Sequence, residues 1–118
     1  MEKELIASSG AIGESNFHIQ LTPVYRRQIF ADEKVAEFTL AFILEKLAEL
    51  EVVAVAYNYG PDHLHLFVAN VRFVSEIEFV RQIKRYSAYK MRRHFSYLFK
   101  DKLRGKKFWS EGHFYRSV

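Results

Sequence analysis

The sequence contains no cysteine, only two prolines and one tryptophan, and no long apolar run. The absence of cysteine excludes disulfide bonds and thiolate metal sites, and it fits a reducing compartment. A membrane-spanning helix needs about 18 apolar residues in succession, and the N-terminus lacks the basic, apolar and small-residue order of a signal peptide. We therefore expect a cytoplasmic protein with no membrane segment.

Apolar and aromatic side chains, by contrast, are plentiful and make up 49% and 16% of the 118 residues. This composition is typical of one packed globular domain and excludes a disordered or fibrous chain. Serine and glycine are frequent at the start of the chain, so we expect a flexible arm over residues 1–15. The folded domain is expected to cover residues 16–118.

Acidic and basic residues are unevenly distributed along the chain. Residues 1–80 contain six Lys/Arg and twelve Asp/Glu, a balance of −6, whereas residues 81–118 contain twelve and two, a balance of +10; together they give the net charge of +4. Such a basic segment is typical of a surface that binds a polyanion, because each neutralised phosphate releases condensed counterions. A solvated helix face followed by a basic tail is the alternative.

Four segments have the patterns of β-strands. Residues 16–22 alternate apolar and polar side chains, which is typical of a strand with one buried face. Residues 52–57 and 63–69 are rich in β-branched and apolar residues and flank a segment with turn chemistry, so they predict a hairpin. Residues 108–116 are interpreted as a last short strand.

Two helices are predicted between these strands. Asp32 can cap a helix that runs to about Glu49, and Ser75 opens a second helix whose apolar spacing continues to the region of Lys100. The resulting order β-α-β-β-α-β is the ferredoxin-like split βαβ arrangement. We therefore predict an α+β fold with an antiparallel sheet, helices on one face, and the first strand between the third and the fourth.

Two histidines separated by one residue lie in the third predicted strand. Side chains two apart in a strand point to the same face about 7 Å apart, so His63 and His65 can converge on one metal ion. Leu64 and Leu66 then enter the core on the opposite face. The alternative is that both histidines are half-exposed strand residues hydrogen-bonded to backbone or water.

Three further polar residues are expected beside this pair. If the hairpin loop is residues 59–62, Asn58 lies opposite His63 and offers an amide oxygen as a neutral metal ligand. Asp62 can accept a hydrogen bond from an imidazole or hold a metal-bound water. His18, on the polar face of the first strand, is expected to support the ligands.

The second predicted helix carries a basic stripe. At roughly 100° per residue, Arg81, Lys84, Arg85 and Arg92 fall within about 100° of arc and can follow a phosphate backbone. The residues predicted to bind nucleic acid are Arg26, Arg27, Arg81, Lys84, Arg85, Lys90, Arg92 and Arg93. The aromatic residues that interleave with these cations and can stack on unpaired bases are Tyr86, Tyr89, Phe108, Trp109 and Tyr115.

These features occur in an order that resembles a known family. The chain is similar, over most of its length, to the HUH single-tyrosine transposases of small insertion sequences and their repeat-associated relatives. The residues that carry the resemblance are the strand with His18, then Pro23-Val24-Tyr25-Arg26-Arg27, Asn58, Asp62-His63-Leu64-His65-Leu66, Ile83-Lys84-Arg85-Tyr86-Ser87-Ala88, Phe108-Trp109-Ser110, Phe114 and Ser117-Val118.

The resemblance implies a metal-dependent DNA transposase. His63 and His65 would be its catalytic histidines and, with Asn58, would hold a magnesium or manganese ion that polarises the scissile phosphate. The implied partners are single-stranded DNA with hairpin ends and a second copy of the chain, in a homodimer with composite active sites. Such a protein is expected in the cytoplasm, associated with the nucleoid when it acts.

The sequence departs from the family pattern at two places. The family nucleophile is a tyrosine on a C-terminal helix, which attacks a single-stranded DNA phosphate and leaves a 5′-phosphotyrosine and a free 3′-OH. No tyrosine of residues 1–118 occupies that place, because Tyr115 falls in the last predicted strand and Tyr86 at a helix position that the family does not use. The chain as given is therefore expected to lack its nucleophile. Asn58 stands where the family usually carries Gln or Glu.

Two other functions fit parts of the sequence. A catalytically inactive protein with the HUH fold that binds single-stranded or hairpin DNA, or regulates its use, would explain the absent nucleophile and Asn58. An RNA-binding ferredoxin-like module would need aromatic platforms on the two central strands. Phe17 and Phe67 have opposite alternation phases, which argues against that shared platform.

Overall fold

The protein is described here by a computed structural model, which covers residues 16–71, 74–101, 103 and 107–117. The arm expected over residues 1–15 lies outside the described residues. The strands are β1 (Phe17–Leu21), β2 (Val53–Gly60), β3 (His63–Ala69) and β4 (Phe114–Ser117). The α-helices are α1 (Glu33–Glu49), α2 (Glu76–His94) and α3 (Ser96–Asp101), and two short 3-10 turns, Val24–Arg26 and Ile29–Ala31, lie between β1 and α1.

The four strands form one antiparallel sheet in the order β2-β3-β1-β4. β1 therefore lies between β3 and β4, which confirms the predicted split βαβ topology and the α+β class. Ile19, Leu64 and Leu66 are fully buried and belong to the same hydrophobic core as residues of α1 and α2. The helices thus cover one face of the sheet, and the alternate strand positions face away from them.

Both predicted helix starts are confirmed by their caps. The carboxylate of Asp32 accepts a hydrogen bond from Lys34 N at 3.0 Å, and the hydroxyl of Ser75 accepts one from Glu78 N at 3.1 Å. Each bond satisfies one of the backbone N–H groups that a helix leaves unpaired at its first turn. No helix within the described part of the chain has the length and apolar character needed to cross a bilayer.

The second helix is shorter than predicted. It ends at His94, and Phe95 adopts φ −134° and ψ 55°, outside the helical region. A separate helix, α3, follows and buries Leu98 and Phe99. The break redirects the chain so that these two side chains reach the core, although their spacing from Met91 is compatible with one continuous helix.

The hairpin register also differs from the prediction. β2 extends to Gly60, which pairs with His63, so the turn consists of Pro61 and Asp62 alone. Asn58 consequently pairs with His65 and not with His63. The longer ladder keeps Tyr59 on the helix-covered face, where its ring packs against the core.

The last strand begins at Phe114 and not at Phe108. Trp109 forms an isolated bridge with Pro23, and its indole is 5% exposed, with Nε1 donating to Ser87 Oγ at 3.0 Å. Trp109 is therefore a core residue and is not available for the base stacking that was predicted for it from the sequence. Residues 110–113 then lead to β4 at the edge of the sheet.

A candidate metal site and nucleic-acid surface

The face of the sheet turned away from the helices brings the predicted site residues together. Two register pairs between β1 and β3 point to this face: Gln20 of β1 with His65 of β3, and His18 of β1 with Phe67 of β3. His63 lies two residues before His65 in β3 and therefore points to the same face. Asn58, in β2, is the register partner of His65. Three neighbouring strands therefore contribute polar side chains to one surface, as the alternation of the sequence predicts.

His63 is held by a chain of two polar contacts. Its Nδ1 lies 3.0 Å from Asp62 Oδ1, and Asp62 Oδ2 accepts hydrogen bonds from Arg26 Nε at 3.2 Å and Nη2 at 3.0 Å. The hydrogen bond with His63, then that with Arg26, holds the pKa of Asp62 below its usual value. Because an ionised carboxylate can only accept, the hydrogen lies on Nδ1 of His63, and Nε2 carries the lone pair in the neutral ring.

Gly60 makes room for that ring. A Cβ atom at this position would lie 2.5 Å from His63 Cε1, which is closer than real contacts allow, and 3.0 Å from His63 Nε2. The imidazole therefore lies against the backbone of the strand opposite. A glycine at this register position was not singled out from the sequence, because its significance depends on the pairing with His63.

His65 has an equivalent support from β1. Its Nδ1 lies 2.9 Å from His18 Nε2, and the His18 ring stacks on Phe67 with centroids 4.4 Å apart. The rings of His63 and His65 have centroids 4.9 Å apart at 75°. Both histidines thus have Nδ1 in a contact that orients the ring, which is the arrangement usual for histidines that bind a metal through Nε2.

The donor set fits a divalent cation that accepts nitrogen and oxygen. Within the part of the chain that the structure describes, no three His, Cys, Asp or Glu side chains form a metal cluster. The predicted third ligand, Asn58, is an amide and lies directly opposite His65. A carbonyl-type oxygen suits magnesium and manganese, whereas imidazole nitrogen suits zinc, copper, iron and nickel, so the mixed set selects a divalent cation and not one metal.

A second feature is a groove of about 910 Å³ between α2 and residues 107–113. The four residues of the predicted basic stripe, Arg81, Lys84, Arg85 and Arg92, line it together with Lys107. Lys90 and Arg93, which were also predicted to bind nucleic acid, lie beside tyrosine rings of α2. Lys90 Nζ is 5.7 Å from the ring centroid of Tyr86, and Arg93 Cζ is 5.7 Å from the ring centroid of Tyr89.

Lys84 differs from its neighbours in the groove because its amino group is used within the chain. Nζ donates to the carbonyls of Ser110 and Gly112, both at 2.8 Å. Burial lowers the pKa of Lys84 from its ordinary value. Close by along the chain, His113 contacts the carboxylate of Glu76 at the start of α2. α2 therefore fixes the segment that leads into β4.

The remaining predicted cations, Arg26 and Arg27, lie in the turn after β1. Tyr25 and Arg26 have positive φ values of 56° and 52°, and Tyr25 is 80% exposed. Arg27 Cζ is 5.9 Å from the Tyr25 centroid. Sequence reasoning included Arg26 and Arg27 but omitted Tyr25 from the stacking residues, since exposure of a turn aromatic has no periodic signal.

Comparison with known proteins gives a consistent result. The family model for IS200-like transposases matches residues 11–118. A "putative transposase" from Deinococcus radiodurans R1 superposes with a TM-score of 0.79 at 23% identity, over 97% of this chain and 86% of the other. A REP-associated tyrosine transposase, solved bound to a REP hairpin, superposes with a TM-score of 0.63 at 13% identity, over 96% of this chain and 61% of the other. No curated protein matches the sequence at a significant level.

Proposed function

Since the chain belongs to the IS200-like transposase family, we propose that it cuts and rejoins single-stranded DNA at insertion-sequence ends through a 5′-phosphotyrosine intermediate. The attack forms the bond from tyrosine oxygen to phosphorus and breaks the bond from phosphorus to the 3′ oxygen, which leaves as a 3′-OH. A tyrosine outside residues 1–118 supplies the nucleophile in this proposal. The opposite attack of a 3′-OH rejoins the strand, so no external energy source is needed.

The orientation of the two histidines is the observation that carries the proposal. Asp62 and His18 hold Nδ1 of His63 and of His65, from the turn and from the neighbouring strand respectively. Two half-exposed strand histidines without a role would not need both supports and a glycine opposite one ring. We infer that this face holds the scissile phosphate.

His63, His65 and Asn58 are the residues that would hold a magnesium or manganese ion. Such an ion, when bound, neutralises and polarises the phosphate. The chain's own residues orient the two imidazoles through the contacts of Asp62 and His18. The bond to Asp62 also holds Arg26 at the same end of the sheet. Asn58 adds no charge, so the site should bind the ion more weakly than one with a carboxylate.

The DNA surface is proposed to combine this face with the basic groove. Arg81, Arg85, Arg92 and Lys107 line the groove and can neutralise phosphates. The REP hairpin bound to the second structural relative supports a DNA hairpin as the partner. We also propose a homodimer in the cytoplasm, joined through β4, since β4 is one of the two outer strands of the described sheet and an edge strand can pair with a second copy.

Covalent capture of DNA tests the proposal. The full gene product, with manganese, should form an adduct with a hairpin-ended single strand that it has selected from a randomised pool, seen as a band that survives denaturation. His63→Gln and His65→Gln should each abolish the adduct, and His94→Gln, an exposed histidine of α2, should not. Hairpin binding without any adduct would contradict strand transfer and favour the DNA-binding or regulatory alternative.

A further inference from the structure

We propose that Tyr25 is a stacking platform for an unpaired DNA base next to the phosphate held by His63 and His65. The inference rests on the proposed function and names the ligand of one surface residue. That ligand is an unpaired nucleotide whose base stacks on Tyr25 and whose phosphate lies near Arg27. Tyr25 is 80% exposed, the highest value among the exposed large apolar and aromatic side chains of the described residues.

The conformation of the turn keeps this ring in solvent. Tyr25 and the next residue, Arg26, both lie in the left-handed region, which residues with a Cβ adopt rarely. The turn is closed by hydrogen bonds from Arg26 N to Pro23 O at 2.9 Å and from Arg27 N to Val24 O at 3.2 Å. Strain of this kind in a well-held turn is characteristic of binding sites.

The same turn is tied to the candidate metal site. The guanidinium of Arg26 bonds Asp62, and Asp62 bonds His63, so only two side-chain contacts separate the residue after Tyr25 from a predicted ligand. The ring is thus presented at the end of the sheet where the scissile phosphate is proposed to lie. An unpaired base is the ligand that fits, because a flat aromatic face stacks on any base once it is out of a duplex.

Three of the five aromatic residues predicted to stack on bases are occupied, whereas Tyr89 and Tyr115 are 54% and 45% exposed, less than Tyr25. Trp109 and Phe108 are buried in the core. The Tyr86 hydroxyl bonds Glu45, and the amino group of Lys46 lies 4.9 Å from its ring centroid. On the open face of the sheet, the Phe67 ring is covered by His18. The guanidinium of Arg27 lies beside the Tyr25 ring, with Cζ 5.9 Å from the centroid, and can pair with the phosphate of the stacked nucleotide.

The test compares two DNAs and three variants of the chain. Both DNAs contain the same hairpin, which the wild-type chain selects from a randomised pool. One DNA keeps the single-stranded extension of the hairpin and the other lacks it. To report stacking, the fluorescent base 2-aminopurine replaces each unpaired base in turn. The variants are Tyr25→Leu, Tyr25→Phe and, as the matched control, Tyr97→Leu, since Tyr97 is a 47% exposed tyrosine of α3.

We expect Tyr25→Leu to weaken binding of the extended hairpin by about 5- to 150-fold, the effect of losing one base stack, and to leave the blunt hairpin unchanged. The quench at one unpaired position should disappear in Tyr25→Leu and persist in Tyr25→Phe and Tyr97→Leu. Two results would overturn the stacking role and leave the proposed function intact. In the first, Tyr25→Leu binds each DNA as tightly as the wild type does. In the second, Tyr25→Leu loses the same affinity for the blunt hairpin as for the extended one. Failure of the wild-type chain to select any hairpin overturns both.

Discussion

The imidazole of His63 lies directly against Gly60, its partner in the neighbouring strand, so closely that a Cβ at position 60 would stand 2.5 Å from Cε1. Gly60→Ala should therefore move the ring away from its place beside Asp62. We expect the affinity for manganese to fall by roughly 10- to 100-fold, the usual effect of disturbing the support of a metal-binding histidine. Isothermal titration with manganese measures the change.

A double-variant comparison separates this effect from a general disturbance of β2. In a His63→Ala background the added methyl at Gly60 has no ring to displace, so Gly60→Ala should there cause no further loss of manganese affinity. An equal loss in both backgrounds would show that the glycine acts through the strand and not through His63.

Asp62→Asn should weaken manganese binding by roughly 10- to 100-fold as well. The amide cannot carry the negative charge that fixes the hydrogen on Nδ1 of His63 and that pairs with Arg26. Arg26→Gln should give a smaller loss, because the carboxylate that contacts His63 is still present. If Asp62→Asn binds manganese as tightly as the wild type, the carboxylate does not orient the ring.

Lys84 and Arg85 should respond differently to removal of their charge. Lys84→Met leaves the carbonyls of Ser110 and Gly112 without their donor, so we expect the free energy of unfolding to fall by about 1–3 kcal/mol in urea titrations. Arg85→Gln should leave stability unchanged and should lower the slope of log affinity for hairpin DNA against log salt by about one. The reverse pattern would show that Lys84 contacts DNA and that Arg85 supports the fold.

Tyr86 should ionise at unusually high pH. The hydrogen bond from its hydroxyl to Glu45 raises the pKa of Tyr86 to about 12. Since the folded value exceeds the unfolded one, this contact stabilises the fold below about pH 10 and its contribution is lost as the pH rises toward 12. An ultraviolet titration of tyrosinate should show a late ionisation from Tyr86 that moves toward 10 in Glu45→Gln. An unshifted titration in Glu45→Gln would remove the carboxylate as the cause.

Much of the fold could be predicted because burial of one sheet face imposes a strict alternation. Ile19, Leu64 and Leu66 occupy the core as their spacing indicates, and His63 and His65 share the other face. The helix starts could be predicted for a local reason, since a cap needs only a side chain and the backbone N–H groups that follow it.

The errors arose where local patterns were compatible with two structures. Helical spacing continues past His94, so only the need to bury Leu98 and Phe99 in the core distinguishes two helices from one. In the hairpin, Gly60 is as suitable for a turn as for a strand, and its place in the ladder shifted the partner of Asn58 from His63 to His65.

The supports of the site could be predicted only in part. Asp62 and His18 were expected near the histidine pair, but the sequence could not say that His18 contacts His65 and Asp62 contacts His63. The contact of Arg26 with Asp62 joins residues 36 positions apart through the packing of two turns, and nothing in local sequence reports it. These long-range contacts turn a histidine pair into an oriented one.

The most direct measurement of the central claim is hyperfine spectroscopy of manganese bound to the chain labelled with ¹⁵N-histidine. Two strongly coupled ¹⁵N nuclei are predicted, from His63 and His65, with one remaining in His63→Gln or in His65→Gln and both remaining in His94→Gln. A manganese spectrum without ¹⁵N coupling, or one that neither substitution changes, would contradict a metal site on this face of the sheet.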